Sequence, residues 1–179
     1  MNKIVNYIKS EFKECNDLIY KKIKIHFNTY HIFYLETLSS SDKINDYILK
    51  AISNKISIIN INKNIPSPHF INIKEKDQIN FYLNNGYTII IYSNKIYGVE
   101  TKADLDRSIA QSTTEPSLYG PKDSFVENIQ KNLGLIKRRM KTNHIKNKVK
   151  IIGRNSKTIT NIIYIDNITD MNLVKDISD

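Results

Sequence analysis

The chain has 179 residues, of which 40% are hydrophobic, and a formal net charge of +9. This length allows one domain or two small ones, and the apolar content supports a packed core, which excludes a disordered tail. The single cysteine, Cys15, excludes an intrachain disulfide and a thiolate metal cluster, and favours a reducing compartment. The basic charge favours an anionic partner, but 23 lysines against 4 arginines are explained equally well by a lysine-rich surface.

The first hundred residues alternate between helical and strand-like patterns. Residues 2–14 form a predicted amphipathic helix without the continuous apolar region of a signal peptide. Two strand-like runs, 18–25 and 30–35, are predicted to pair as a hairpin. A helix capped by Ser40, Ser41 or Asp42 follows. Residues 56–61 favour a buried strand, and 62–70, with two prolines, a loop or an edge passage.

The next segments complete the first predicted subdomain. Residues 74–84 are typical of a helix that ends at Asn85 and Gly86, and 87–100 of two strands around a Ser93–Asn94 turn. Residues 101–114 are polar and turn-rich, and we interpret them as a linker. The predicted fold class is therefore α/β, with two small mixed α/β subdomains, 1–100 and 101–179, joined by this linker.

Residues 115–141 contain the clearest helical pattern. Gly120 is the predicted N-cap, with Pro121 at the first helical position. The predicted apolar stripe consists of Phe125, Ile129, Leu133, Ile136 and Met140. Lys137, Arg138, Arg139 and Lys141 follow at the end of the helix, where its dipole favours cations.

Polar side chains lie on both sides of this stripe. Asn128, Asn132 and Arg139 flank it on one side, so we expect them to anchor neighbouring backbone, with Arg139 as a structural cation. Glu127, Lys131 and Arg138 point the other way, together with Gly134. This second set is the predicted contact surface for another chain.

Motifs that carry chemistry are absent from the sequence. There is no GxGxxG, P-loop or GxSxG pattern, and the four histidines do not have metal-ligand spacing, although His26 and His31 can meet across the predicted hairpin. Two further strands, 148–152 and 158–165, flank Gly153–Lys157. This turn favours a plain hairpin over a phosphate site, although its backbone N–H groups and Lys157 leave the second reading open. We therefore expect no enzymatic activity and no cofactor or metal.

The second half of the chain resembles the soluble N-terminal domain of spore germinant-receptor A subunits, the GerA family. The resemblance is dense over residues 107–168 and looser over 1–100. Two positions depart from the family pattern: Tyr119 stands where an arginine is common, and Ser124 where a glycine is common. The matching positions are Arg107, Glu115, Pro116, Gly120, Pro121, Phe125, Glu127, Asn128, Asn132, Arg138, Arg139, Gly153, Ser156, Lys157, Thr158 and Tyr164.

The resemblance implies a non-catalytic domain that acts in nutrient-triggered germination through subunit assembly and signal transmission. Its implied partners are the receptor B and C subunits and further copies of the A subunit. It also implies a place at the spore inner membrane, on the cytoplasmic (core) side, with membrane attachment through a C-terminal part that the chain lacks. We accordingly interpret the chain as an excised fragment.

Two other functions stay open at this point. A small-ligand module would bind a nutrient between the two subdomains, and titration calorimetry with amino acids or sugars would reveal it. A nucleic-acid-binding domain is suggested by charge alone, and salt-dependent DNA binding would reveal that. We expect no nucleic-acid partner.

Overall fold

In a computed structural model of the chain, the described residues are 2–25, 27–53, 67, 69–104 and 124–179. We refer to residues 2–104 as the N-terminal half and to 124–179 as the C-terminal half. The N-terminal half contains a five-stranded sheet and the C-terminal half a two-stranded one. Both sheets are antiparallel, and helices pack beside them, so the predicted mixed α/β class is confirmed.

The N-terminal sheet consists of five strands: β1 (Leu18–Ile25), β2 (Asn28–Leu35), β3 (Phe70–Ile73), β4 (Tyr87–Tyr92) and β5 (Lys95–Glu100). Their order in the sheet is β1-β2-β4-β5-β3. The central strands β2 and β4 are almost entirely buried, because helices cover both faces of the sheet.

Helices α1 (Asn2–Glu11) and α4 (Asp77–Asn84) cover one face of this sheet, where Ile8 packs in one cluster with Phe33 and Ile89. The opposite face is covered by α2 (Ser41–Lys43), a π-helical segment (Ile44–Leu49) and α3 (Lys50–Ser53), where Ile48 packs in a second cluster with Ile32 and Ile90. Side chains on a strand alternate between its faces, so the continuous run Ile89–Ile91 supplies both clusters. The predicted amphipathic helix near the N-terminus is confirmed, and Val5, Ile8 and Phe12 form its buried side.

The turns follow the local chemistry of their residues. Ser40 caps α2, and its side-chain oxygen accepts a hydrogen bond from the Lys43 amide. Gly86 has φ +79° just after α4, and Ser93 and Asn94 have positive φ between β4 and β5. The predicted cap and both of these predicted turns are confirmed.

The C-terminal half consists of α5 (Ile129–Arg139), β6 (Ile145–Ile152), β7 (Thr158–Ile165) and α6 (Met171–Ser178). The hairpin is paired in register from Ile145 with Ile165 to Ile152 with Thr158, and Gly153 opens its turn with φ +88°. The predicted hairpin is confirmed, with β6 beginning three residues earlier than its apolar pattern indicates. None of the helices in the described ranges has the length and apolarity needed to cross a bilayer.

Several predicted boundaries in the N-terminal half differ from the structure. Phe70–Ile73 is an edge strand paired with β5, where the sequence predicts a loop or an edge passage up to residue 70 and no strand beyond it. Helix α4 begins at Asp77 rather than at Lys74. The first residues of the predicted linker are structured, because Ser40 donates to the Thr101 carbonyl and Ala103 donates to the Leu38 carbonyl. The predicted strand 56–61, His26 and residues 105–114 lie outside the described residues. The division into two subdomains stays a prediction.

The helix predicted from residue 121 is shorter. Helix α5 begins at Ile129, and Asn128 is its N-cap. Residues 124–128 are not helical because two asparagine side chains bind the backbone in this region. Asn128 caps the helix, and Asn132 hydrogen bonds to both the amide and the carbonyl of Val126. Gly120 and Pro121, predicted to start the helix, lie outside the described residues.

Candidate functional site at the junction of the two halves

The turn after α1 is where the two halves meet. Cys15 forms a parallel bridge with Asn147 of β6, and the Asn147 amide donates to the Glu14 carbonyl at 3.1 Å. The Asn16 amide donates in turn to Asn147 Oδ1 at 3.1 Å. Glu14 has φ +61°, a left-handed conformation that costs free energy in a residue with a side chain. The strained turn therefore presents its backbone groups to the strand of the other half.

A buried ion pair lies beside this turn. Lys137 Nζ of α5 is 2.5 Å from Asp17 Oδ1, and the two side chains are 2% and 1% exposed. Thr37 donates to the other carboxylate oxygen at 2.6 Å, so both oxygens of Asp17 are satisfied. An ion pair removed from water needs this complete set of partners to offset the lost hydration. The pair thus connects α5 to the start of β1, 120 residues away in sequence.

The other side of the turn contacts the hairpin through a second polar network. Tyr164 donates to Glu14 Oε2 at 2.5 Å, and Lys146, which is buried, donates to the Glu11 carbonyl at 3.2 Å. His144 and Lys146 both contact the Asp166 carboxylate, at 2.7 and 3.3 Å. Residues of both halves are therefore joined by charge-assisted hydrogen bonds on either side of Cys15.

Burial and these contacts shift the pKa values of three groups. Burial raises the pKa of the Cys15 thiol, although Lys137 and Lys146 oppose this effect. Burial and the hydrogen bond to Glu14 also raise the pKa of Tyr164 well above its usual range. Burial disfavours the ionised form of Asp166, but the hydrogen bonds from His144 and Lys146 outweigh it and hold the pKa below its usual value. Cys15 and Tyr164 are therefore uncharged at neutral pH, and Asp166 is ionised.

A polar groove of about 370 Å³ runs along this junction. Its walls carry both signs of charge, and its lining comprises Ser10, Glu11, Lys13, Glu14, Asn143, His144, Lys146 and Asp166. Much of the charge is already paired within the groove. Among the described residues, no cluster of three or more His, Cys, Asp or Glu side chains has an arrangement suited to a metal ion.

Two of the predicted site residues have the expected role of anchoring backbone. Asn128 accepts from the Lys131 amide at 3.0 Å, and Asn132 accepts from and donates to Val126 at 2.8 and 2.6 Å. Lys157 lies in the hairpin turn with φ +45°, and its amide donates to the Gly153 carbonyl. The turn is closed by its own backbone. Arg107, Glu115, Pro116, Gly120 and Pro121 lie outside the described residues.

Burial along α5 differs in part from the prediction. The buried cation of this helix is Lys137, whereas Arg139 is exposed, and its expected structural pairing stays a prediction. Phe125 and Met140, predicted for the apolar stripe, are 66% and 44% exposed, while Gly134, predicted to face outward, is buried. Phe125 lies outside the apolar stripe because the helix begins eight residues later than predicted. Gly134 is buried because the middle of the helix is covered on more than one side.

The predicted contact surface is only partly exposed. Glu127 is exposed, whereas Lys131 and Arg138 are half-buried, and Arg138 lines a small groove with Asn85 and Gly86 of the other half. Arg138 therefore faces the N-terminal half rather than away from it.

Sequence reasoning missed the residues that make the junction, Asp17, Lys137 and Asn147. One signal for Lys137 was present in the pattern. It stands four residues after Leu133, so it falls on the apolar side of the helix, where a cation requires a buried partner. Its partner, Asp17, is too distant in sequence for any spacing argument to find.

A solved structure shares this architecture. The crystal structure of the N-terminal domain of the A subunit of the Bacillus megaterium spore germinant receptor GerK3 superposes with a TM-score of 0.73 and 23% identity. The match covers 97% of this chain and 68% of that one. The fold is thus that of a known receptor domain.

The sequence gives the family. The sequence model described as Bacillus/Clostridium GerA spore germination protein matches residues 6–179, so the chain belongs to the GerA family of spore germination proteins. It is 26% identical over 172 residues to spore germination protein A1 of Bacillus subtilis (strain 168), covering 93% of this chain and 36% of the relative. It is 28% identical over 103 residues to spore germination protein XA of Bacillus anthracis, covering 56% of this chain and 21% of the relative. The chain thus spans about a third or less of the length of these relatives.

Proposed function

We propose that this chain is the N-terminal domain of a germinant-receptor A subunit and that it acts without catalysis, by assembling with other subunits and transmitting a signal between them. The observation that carries the proposal is the junction. A buried ion pair and a β-bridge join the two halves. Because buried charges must stay paired, a displacement of one half imposes a displacement on the other. A domain whose halves are joined in this way is suited to transmitting a displacement from one partner subunit to another.

The proposed partners follow from the family. The GerK3 relative is an A subunit of a spore germinant receptor, and other curated relatives are named spore germination proteins. We infer B and C subunits and further A subunits as partners, at the spore inner membrane with this domain on the cytoplasmic side. Attachment to the membrane belongs to parts of the subunit outside these 179 residues.

The proposed contact surface extends along α5, from Glu127 just before the helix to Arg138 in its last turn. It consists of Glu127, Lys131 and Arg138, with Glu127 the most exposed of the three. Opposite charges four residues apart give a partner a patterned surface rather than a uniform one. The absence of nucleotide, acyl-transfer and metal motifs in the sequence agrees with a role in contact.

Germinating spores test this proposal. We expect the charge exchange Glu127→Lys with Lys131→Glu to impair receptor assembly or nutrient-triggered germination while the melting temperature of the isolated domain stays within about 2 °C, since surface substitutions usually change stability little. The matched control is Asp46→Lys with Lys50→Asp, an exposed pair of the same spacing on the far side of the N-terminal sheet. Normal germination with normal receptor levels in the Glu127–Lys131 variant would contradict the contact surface.

A small-ligand function is the alternative, and the polar groove supports it. The groove lies between the halves, and both signs of charge on its walls suit a zwitterion such as an amino acid. Titration calorimetry with amino acids and sugars separates the two functions. Heat that disappears in His144→Gln would favour a nutrient site, whereas no heat with any of these compounds supports the contact function.

A further inference from the structure

The two hairpins of the N-terminal sheet turn at the same end of the sheet. The Tyr92 hydroxyl at the end of β4 donates to Asn28 Oδ1 at the start of β2 at 3.0 Å, so the β1–β2 and β4–β5 turns are neighbours. The junction with the C-terminal half lies at the opposite end, where Asp17 precedes β1 and its carbonyl accepts from the Glu36 amide. We call the end formed by the two turns and the adjoining strand residues, 21–31 and 91–96, the basic end.

The charges on these two hairpins all have one sign. Residues 18–35 and 87–99 contain four lysines and no aspartate or glutamate, and Glu100 lies at the other end of β5. Residues 74–77, which follow β3, contain two lysines and two acidic residues and add no net charge. The four lysines of the hairpins are all exposed: Lys21, Lys22, Lys24 and Lys95.

These four lysines lie on both faces of the sheet. Side chains alternate along a strand, so the register places Lys22 and Lys24 on the face that α1 covers and Lys21 and Lys95 on the other. In the part of the chain that the structure describes, none of the four takes part in an ion pair. The basic end therefore has a rim of cations that the protein itself does not neutralise.

An aromatic side chain projects from the middle of this rim. Phe27, in the turn between β1 and β2, is 105% exposed, so its whole ring is in water. A cleft of about 250 Å³ lies beside it, and its other lining residues are uncharged: Asn28, Thr29, Tyr92 and Ser93. One exposed hydrophobic side chain is ordinary by itself. Here it is the tip of a neutral centre that cations surround.

We propose that the basic end binds the surface of an anionic lipid bilayer, with Phe27 at the boundary between headgroups and acyl chains and the lysines at the lipid phosphates. An aromatic ring favours that boundary, and the long stem of a lysine lets its ammonium group reach the phosphates while the ring lies deeper. Because the lysines lie on both faces of the sheet, mobile headgroups can meet all of them, whereas a rigid partner of fixed shape would meet only some. This surface is separate from α5, so the inference does not depend on the proposed assembly role.

Tryptophan fluorescence tests the insertion of Phe27, because the chain contains no tryptophan. Phe27→Trp and the control Phe81→Trp, a 63% exposed position on α4, are titrated with vesicles of phosphatidylglycerol and phosphatidylcholine in equal parts. We expect the emission of Phe27→Trp to shift to shorter wavelength with these vesicles and not with phosphatidylcholine alone, while the emission of Phe81→Trp stays unchanged. An unchanged emission of Phe27→Trp, or equal shifts in the two variants, would overturn the proposal.

Sedimentation with the same anionic vesicles tests the lysines. We expect Lys22→Gln with Lys24→Gln to lower the vesicle partition coefficient roughly 25-fold, about fivefold for each cation near an anionic surface. The control, Lys157→Gln with Lys175→Gln, removes the same charge at two exposed positions of the C-terminal half and should change the coefficient less than about twofold. Equal losses in the two variants would attribute binding to net charge alone and overturn the proposal.

Two other outcomes of the fluorescence experiment would also overturn it. A shift in Phe27→Trp emission that follows protein concentration without vesicles would assign the basic end to a second copy of the chain. A salt-dependent response to a DNA oligonucleotide, with none to the vesicles, would assign it to nucleic acid.

Discussion

Lys137 and Asp17 bear most directly on how the two halves are held together. Both side chains are almost completely removed from water, and the carboxylate has the lysine on one oxygen and Thr37 on the other. Such a pair adds little net stability over an apolar pair, because desolvation offsets most of the attraction between the charges. Removing one partner is different, since it leaves the other charge buried and alone.

We therefore predict that Lys137→Met lowers the free energy of unfolding by about 3–5 kcal/mol, the range for breaking a buried ion pair. Urea denaturation of the purified chain measures this loss. The control is Lys50→Met, which removes a 2.6 Å pair with Asp46 whose side chains are 64% and 51% exposed. That pair is expected to contribute about 0–1 kcal/mol. Equal losses in the two variants would contradict a special role for Lys137.

His31 is a buried titratable group on the central strand β2. Its Nδ1 lies 2.7 Å from the Tyr20 hydroxyl, and its Nε2 is buried without a hydrogen-bond partner among the described residues. Burial lowers the pKa of the imidazole, and the nearby Lys22, the N-terminus and Lys9 lower it further. The folded protein therefore holds His31 neutral, and the unfolded chain binds the proton more readily.

This difference gives stability a definite dependence on pH. Above about pH 6.5, the ordinary histidine pKa, His31 is neutral in both states and has no effect. As the pH falls below that value, the unfolded chain gains a proton that the folded protein does not, so the free energy of unfolding decreases. We predict that His31→Gln loses less stability than the parent between pH 7.5 and pH 5.5 in urea denaturation. His69→Gln, at an exposed position, is the control, and an unchanged loss in His31→Gln would show that the imidazole does not titrate in this way.

The turn between α4 and β4 joins a helix to the central strand of the sheet. Gly86 has φ +79°, and a Cβ atom there would lie 2.8 Å from the Leu38 carbonyl oxygen and 3.1 Å from Lys102 Cα. These contacts are with backbone, so they do not yield easily. The Gly86 carbonyl also accepts a hydrogen bond from the Thr101 amide, and this bond holds the segment that follows β5 in place.

We predict that Gly86→Ala lowers the free energy of unfolding by about 1–3 kcal/mol, the cost of a strained left-handed residue, with the contacts adding to it. Gly98→Ala is the matched control. Its Cβ would meet Ile73 Cδ1 at 3.4 Å, and its φ is not in the left-handed region. We expect a change within about 1 kcal/mol there, because a glycine inside a strand has an entropic cost that alanine removes. Thermal or urea denaturation of both variants decides this, and a neutral Gly86→Ala would show that the turn relaxes.

At the scale of the whole molecule, the bridge between Cys15 and Asn147 is one of the contacts that join the two halves. Asn147 is 2% exposed, and its side chain accepts from Asn16 while its amide donates to Glu14. We predict that Asn147→Ala speeds hydrogen exchange roughly tenfold in residues 12–17 and 145–149, and leaves β4 unchanged, since losing a buried acceptor weakens local protection first.

Hydrogen exchange followed by mass spectrometry measures both segments in one experiment. Asn28→Ala is the control, because Asn28 also accepts a side-chain hydrogen bond but at an exposed position remote from the junction. Equal exchange in the parent and in Asn147→Ala would show that the halves are joined mainly by the ion pair.

Local sequence patterns were sufficient to predict much of this fold. The sequence determined α1, the β1–β2, β4–β5 and β6–β7 hairpins, the Ser40 cap and the left-handed Gly86, because each depends on residues a few positions apart. It also carried the resemblance to the GerA family. Within the candidate site, Asn128 and Asn132 were predictable as backbone anchors, because their partners lie within a few residues of them.

Only the tertiary structure decided the junction. The partner of Lys137 is 120 residues away, and β3 is a strand because β5 offers it an edge. Spacing along a helix identifies which side chains share a face, but it does not identify what covers that face. For this reason Lys137 rather than Arg139 is the buried cation, Gly134 is covered, and the start of α5 is set by two asparagine side chains rather than by Gly120 and Pro121.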